Sequence, residues 1–200
     1  MEFKRYVNGE IFTNTYLVWD EESRKAMIID PAEENPKIAE QIAAEKLSLV
    51  YIVLTHGHSD HTGGIAYFRA LYPDAKLVAS RAERKLLYER KGASRGGIKA
   101  DIELSDGDSL DLGSSHMEFI MTPGHTPGGM CVYFPAQDTL FSGDTLFFAS
   151  IGRTDLWGGD DDQMASSLKR LMELPDCTSV WPGHDRETSI GFERNYNPFV

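Results

Sequence analysis

The chain has few cysteines, few histidines, no long apolar run and a shortage of basic charge, and each shortage narrows what it can do. Cys131 and Cys177 are its only cysteines in 200 residues. They lie far apart and neither belongs to a CxxC motif, so they are read as reduced, mainly structural thiols rather than a disulfide framework. The longest apolar run, "LVYIVL" from Leu49 to Leu54, is far short of the ~20 residues a membrane helix needs. The opening "MEFKRYVNGE" lacks the apolar core of a secretory signal, so the expected address is the cytoplasm, with no membrane partner. Lys and Arg number 20 against 31 Asp and Glu, a formal net charge of −11. That balance argues against a nucleic-acid partner, because phosphate recognition runs on Lys and Arg.

Charge is uneven. Between Arg81 and Lys99, seven basic residues (81, 84, 85, 90, 91, 95 and 99) face Glu83 and Glu89, a local balance of +5. This stretch reads either as a solvated helix face followed by a Gly-rich loop or as a patch that greets an anionic substrate. With 41% hydrophobic residues, the remainder suffices for one globular domain over residues 1–200. No sustained heptad marks an oligomer interface, so the oligomeric state is left open.

Periodicity sets the expected elements. "EIFTNTYLVWD" and "RKAMIID" are strand-like runs joined by "EESR" and predict an antiparallel hairpin. "NPKIAEQIAAEKL" carries apolar residues at helical spacing after an Asn-Pro start, with Asn35 near its N-cap. "SLVYIVLT" is apolar and β-branched throughout, as expected of a strand covered on both faces. A helix over about 64–72, a strand at "AKLVAS" and a helix at "RAERKLLYER" follow. Strands or hairpins are expected at "DIELSDGDSLDLG", "SHMEFIMT", "MCVYF" and "DTLFSGD", then a helix from "GDDDQMASSLKRLMEL" and a closing strand at "TSVWP". Asp160 to Asp162 cap and charge the start of that helix. Two similar β-rich halves with helices outside predict an α/β fold, a four-layer α/β/β/α sandwich. Trp19, Trp157 and Trp181 read as packing residues, with Trp157 also a possible wall of a substrate cleft.

Against this economy, "THGHSDHTGG" at 55–64 places His56, His58 and His61, half of the six histidines, beside Asp60. Residues i and i+2 of extended chain point the same way, so His56 and His58 can face one cation across Gly57. As the chain turns into a helix, Asp60 and His61 can face a second. Clustered imidazoles repel when protonated and need partners when buried, so a purely structural role is awkward. His125 in "TPGHTPGG", His184 in "WPGHD" and Asp144 in "SGDTLF" each follow a predicted strand. Together they supply imidazole and carboxylate enough for two ions, with one Asp shared.

The set His56, His58, Asp60, His61, followed by His125, Asp144 and His184, resembles the His-x-His-x-Asp-His signature and later ligands of the metallo-β-lactamase superfamily, over essentially the whole chain. The resemblance implies that His56, His58 and His125 hold one divalent metal, that Asp60, His61 and His184 hold the other, and that Asp144 bridges. It implies the same four-layer sandwich. Asp30 in "IIDPA" matches a family Asp near the metal loops, where it orients a ligand histidine by hydrogen bond or simply forms a turn.

Within the superfamily, "SIGRTDLWGGD" and the tail "ERNYNPF" resemble the single-domain bacterial hydroxyacylglutathione hydrolase (glyoxalase II)-like branch. Larger glyoxalase II enzymes add a C-terminal helical domain for glutathione, which is not expected here. Where they carry a Lys and a Tyr for the thiol carrier, this chain has Arg153 and Asp155. The expected reaction is hydrolysis of a small-molecule thioester such as S-lactoylglutathione by a metal-bound hydroxide, with Asp60 aiming the nucleophile and Arg153 receiving a substrate carboxylate or else locking its own loop through Asp155. Two zinc ions are the first expectation, and iron or manganese suits the same ligands. A persulfide dioxygenase using one iron shares the motif and a similar "GRTD" segment and is the alternative. A non-catalytic, metal-stabilised binding module is the second.

Overall fold

Alternation of inward and outward residues builds the architecture of this protein, described by a computed structural model over residues 1–88 and 97–200. Six strands form the first sheet in sequence order: β1 (Glu2–Asn8), β2 (Thr13–Trp19), β3 (Lys25–Ile29), β4 (Ser48–Val53), β5 (Lys76–Ser80) and β6 (Ile102–Leu104). The first three pair antiparallel and the rest parallel. β7 (Ser109–Leu112), β8 (Ser115–Met121), β9 (Met130–Phe134) and β10 (Thr139–Gly143) begin the second sheet. A small hairpin of β11 (Leu146–Phe147) and β12 (Ser150–Ile151) follows, and β13 (Ser179–Pro182) and β14 (Thr188–Ser189) complete the second sheet in the order β14-β13-β10-β9-β8-β7.

Along β2, Tyr16 and Val18 face the second sheet while Leu17 faces the helices; Met27 and Ile29 on β3 and Phe119, Val132, Phe134 and Phe141 opposite complete the inter-sheet core. The outer face of the first sheet is covered by α1 (Pro36–Ala44), the four-residue α2 (Ser59–Thr62), α3 (Ile65–Leu71) and α4 (Arg84–Tyr88), with Ile38, Ile42, Ile65 and Phe68 filling the layer. The outer face of the second is covered by α5 (Asp161–Leu171) and α6 (Ile190–Tyr196), through Met164, Leu168, Leu171 and Ile190. Three separate apolar clusters thus divide four layers, the expected α/β/β/α sandwich. Asn35 caps α1 by accepting from the Lys37 amide, and Asp160 caps α5 by accepting from Gln163.

Several expectations need correction. β1 and α6 are elements the sequence reading omits; β1 pairs with β2 along its length. "DIELSDGDSLDLG" is no hairpin: β6 adds to the first sheet and β7 to the second, so this segment crosses between sheets. "RAERKLLYER" begins as a single 3-10 turn over Arg81–Glu83 before α4, and its last two residues, with most of the Gly-rich part of the basic stretch, lie outside the described residues. In the described part, Arg84 pairs with Glu103 and Glu83 is buried, so that part is not a uniformly solvated face. Trp157 is 63% exposed and Cys177 is exposed, so neither is a packing residue. Among the described residues, no helix is long and apolar enough to cross a membrane.

Candidate metal centre

Strand direction collects the site at one edge. β4 of the first sheet and β8, β10 and β13 of the second all end toward it, and the loops beyond them carry His56 to His61, His125, Asp144 and His184 respectively. Ligands just beyond rigid strands are held by backbone that has already been ordered by the sheet. The edges are sewn together: the Met130 amide donates to Thr55 carbonyl at 2.9 Å, and the Gly183 amide to Gly143 carbonyl at 2.8 Å.

The imidazoles converge on each other rather than on ordinary partners. His58 Nδ1 lies 2.9 Å from His125 Nε2, and His61 Nε2 lies 3.3 Å from His184 Nε2. Asp144 sits between the two pairs: its Oδ2 is 3.5 Å from Nε2 of both His125 and His184 and 3.9 Å from His56 Nε2, and its Oδ1 is 3.4 Å from His61 Nε2. Asp60 Oδ2 lies 3.2 Å from His61 Nε2 and 3.3 Å from His184 Nε2, and accepts from the Thr13 hydroxyl at 3.2 Å.

The remaining ring nitrogens decide the tautomers. His125 Nδ1 meets the Arg153 carbonyl at 2.6 Å and His184 Nδ1 meets the Ile11 carbonyl at 3.1 Å. His61 Nδ1 meets Asp30 Oδ2 at 2.9 Å. Carbonyls and carboxylates only accept, so each of these nitrogens donates, and in the neutral ring the Nε2 lone pair then faces inward. His56 Nε2 and Asp144 Oδ1 are buried without a hydrogen-bond partner. Buried polar atoms of native proteins are nearly always satisfied, so inward lone pairs and orphaned acceptors together fit a cation that fills the gap.

Electrostatics agree. Burial, then His61, pushes His56 well below the usual histidine range, and burial, then His125, brings His58 down to about 4. Burial opposes charge on His61 and His184 too, yet carboxylates prevail: Asp144 and Asp30 hold His61 well above its ordinary value, and Asp144 and Asp60 raise His184 to about 9. Despite their own burial, Asp144 and Asp60 are held well below the usual carboxylate range by the neighbouring histidines. Buried carboxylates among imidazoles call for positive charge, which protons or divalent cations supply.

Three groups of described residues bring ligand atoms within 4.8 Å of one another: His56, His58 and His125; Asp60, His61 and His184; and Asp30, His56 and His61. In the third, Asp30 is already engaged, since its Oδ1 accepts from the Thr55 amide at 2.7 Å and its Oδ2 from the Thr55 hydroxyl at 2.6 Å. The first two groups open onto a cleft of about 520 Å³ whose wall includes Ile11, Phe147, Ile151, Arg153 and Leu156. Arg153 is 62% exposed and forms a two-pronged pair with Asp155 at 2.6 and 2.7 Å, so it stands in the cleft wall and also ties its own loop. The supporting roles of Ile11, Thr13 and Thr55 have no signature in the sequence, because each depends on a partner that only the fold supplies.

A sequence profile of the metallo-beta-lactamase superfamily matches residues 8–184. Hydroxyacylglutathione hydrolase GloC of Haemophilus influenzae is 34% identical over 94% of this chain and 92% of its own. The mitochondrial persulfide dioxygenase ETHE1 of Homo sapiens is 36% identical over 93% of this chain and 70% of its own. Among solved structures, BLEG-1 B3 metallo-beta-lactamase superposes with a TM-score of 0.88 at 34% identity, covering 99% of both chains. TTHA1623 in a di-iron-bound form superposes with a TM-score of 0.85 at 33% identity, covering 98% of this chain and 100% of its own. The chain belongs to the metallo-beta-lactamase superfamily.

Proposed function

We propose that the protein hydrolyses a small-molecule thioester at a two-metal centre, in the manner of hydroxyacylglutathione hydrolase. The observation that carries this reading is the convergence of two ligand triads on Asp144 at the base of an open cleft. A structural zinc site is typically closed and rich in Cys, whereas neither cysteine lines this cleft. His56, His58 and His125 would hold one ion, Asp60, His61 and His184 the other, and Asp144 both. Divalent cations there would supply Lewis acidity and a water acidic enough to ionise near neutral pH.

The chain's own residues supply the rest. Asp60 stands at the cleft wall, where its carboxylate can accept a hydrogen bond from the attacking water and fix its aim. Asp30 fixes His61 in the tautomer that leaves Nε2 free. Phe147, Ile151 and Leu156 give the cleft an apolar wall against which an acyl group can pack. Arg153 offers a guanidinium to a substrate carboxylate.

The similarity to GloC supports hydrolysis, and that to ETHE1 supports the second reading, oxygenation of a persulfide. The decisive measurement is turnover of S-lactoylglutathione by zinc-loaded protein, followed as loss of thioester absorbance, with a chelated sample and His56→Ala as controls. Metal-dependent turnover lost in both controls is expected. A folded, metal-filled protein without turnover, but with oxygen uptake on glutathione persulfide when loaded with iron, would replace hydrolysis by the second reading.

A further inference from the structure

A buried acid outside the proposed chemistry bridges two of the ligand loops. Glu83 is 1% exposed, at the end of the 3-10 turn over Arg81–Glu83 that follows β5. Its two oxygens reach into two different ligand loops: Oε2 accepts from the Gly57 amide at 3.0 Å, and Oε1 accepts from the Gly128 amide at 2.7 Å. Gly57 stands between His56 and His58, and Gly128 lies three residues beyond His125. These are the loops whose histidines approach to 2.9 Å, although they leave different sheets.

The surroundings are built for this bridge. A Cβ on Gly57 would fall 2.9 Å from Glu83 Oε2, and one on Gly128 would fall 2.4 Å from the Glu83 amide nitrogen. A side chain at Gly128 would therefore meet backbone, and one at Gly57 would press on the carboxylate that its own amide binds. Glu83 is itself fixed: the Ser80 hydroxyl accepts from the Ala82 amide at 3.2 Å and caps the turn, and β5 pairs with β4, the strand that launches the His56 loop. A carboxylate is the natural clamp for two amides, since it only accepts and its charge strengthens both bonds.

We propose that Glu83 is a positioning residue that sets the spacing between the His56–His58 loop and the His125 loop, and thereby the metal affinity of the three-histidine site. The inference rests on the two-metal reading above. The effect is greatest at the three-histidine site, because Gly57 and Gly128 flank its histidines, whereas Asp60 and His61 lie on α2, beyond its N-cap His58.

The test is zinc titration of the full metal-free chain against a competing chelator, with metal counted by mass spectrometry and cobalt(II) absorption as a second readout. Glu83→Gln keeps the shape but turns an NH2 group toward one amide. It is expected to weaken one of two sites by roughly 10- to 100-fold, the range for lost outer-shell partners, and to affect the other less. Combined with His58→Ala it should add little, because both changes strike one site. Glu83→Asp keeps two acceptor oxygens on a shorter stem and should lose less, which guards against a glutamine variant that fails to fold. Two wild-type affinities in Glu83→Gln, or equal weakening of both sites, overturns the assignment of Glu83 alone. A wild-type chain that binds no zinc or cobalt overturns the metal reading itself.

Discussion

Asp30 Oδ2 lies 2.9 Å from Nδ1 of His61, and the same oxygen accepts from the Thr55 hydroxyl at 2.6 Å while Oδ1 accepts from the Thr55 amide at 2.7 Å. The carboxylate therefore meets three donors, all buried, and holds the first residue of the ligand loop and one of its histidines together. In Asp30→Asn one acceptor becomes an NH2 group that faces a donor, either at Thr55 or at His61. We expect zinc affinity to fall by about 10- to 100-fold, with stability lowered by about 1–3 kcal/mol for the unsatisfied pair. Zinc titration and urea unfolding of the metal-free variant check both. Unchanged affinity would reduce Asp30 to a turn residue.

Arg153 serves the centre through its carbonyl, which accepts from His125 Nδ1, so removing its side chain should leave metal content intact. Its pair with Asp155 is exposed and screened by solvent, so breaking it should leave stability nearly unchanged. In Arg153→Ala we expect KM for a carboxylate-bearing thioester to rise about tenfold, the effect of one lost charged contact, and KM for an uncharged thioester to stay the same. If KM is unchanged for both, the arginine is only the lock of its own loop.

Glu193 plays a comparable part for the cleft wall. It is 0% exposed, and its carboxylate accepts from the Ala149 amide at 3.0 Å, the Thr188 hydroxyl at 2.5 Å and the Asn197 side-chain amide at 2.7 Å. Asn197 also donates to the Ser150 carbonyl at 3.1 Å, so α6 holds the turn between β11 and β12 whose residues line the cleft. Glu193→Gln should raise KM several-fold and lower stability by about 1–3 kcal/mol with the number of bound zinc ions unchanged. Loss of metal together with activity would mean that α6 supports the whole edge and not the wall alone.

These acids mark the limit of what could be read from the sequence. His56, His58, Asp60 and His61 are legible because their geometry is local: a strand end, a two-residue repeat and a helical turn. His125, Asp144 and His184 are legible less directly, as polar residues in Pro/Gly loops after strands. Glu83 is hidden in a basic run, where it reads as one solvated charge among many, because its partners are 26 and 45 residues away. Glu193 is hidden in a helix of seven residues, too short for a strong apolar period. The layers follow from the order of elements, two β-rich halves each accompanied by helices. The crossing from β6 to β7 does not, because an Asp-Gly turn reads the same whether its flanking strands pair with each other or with different sheets.

Asp20 offers a test of stability away from the centre. Its Oδ2 accepts from the Ser23 hydroxyl and amide at 2.6 and 2.9 Å, and its Oδ1 from the Ser114 and Ser115 hydroxyls at 2.8 and 3.0 Å. The β2–β3 turn of one sheet is thus tied to the β7–β8 turn of the other. The Ser23 hydroxyl first, then its amide and the two further serines, hold this carboxyl well below the usual range against the opposing effect of burial. A depressed folded value means that the unfolded chain binds more protons in this window, so the stabilisation is complete above about pH 5 and is lost as pH falls through the ordinary value near 3.9 toward the folded one. Asp20→Asn does not titrate. The gap in Tm between wild type and variant should therefore be widest near neutrality and narrow as pH drops below about 4. Other carboxylates titrate in both proteins and cancel in the difference unless they couple to Asp20. A gap that stays constant down to about pH 3 would show that the serines satisfy the neutral acid as well as the anion, and that the tie between the sheets is one of shape and not of charge.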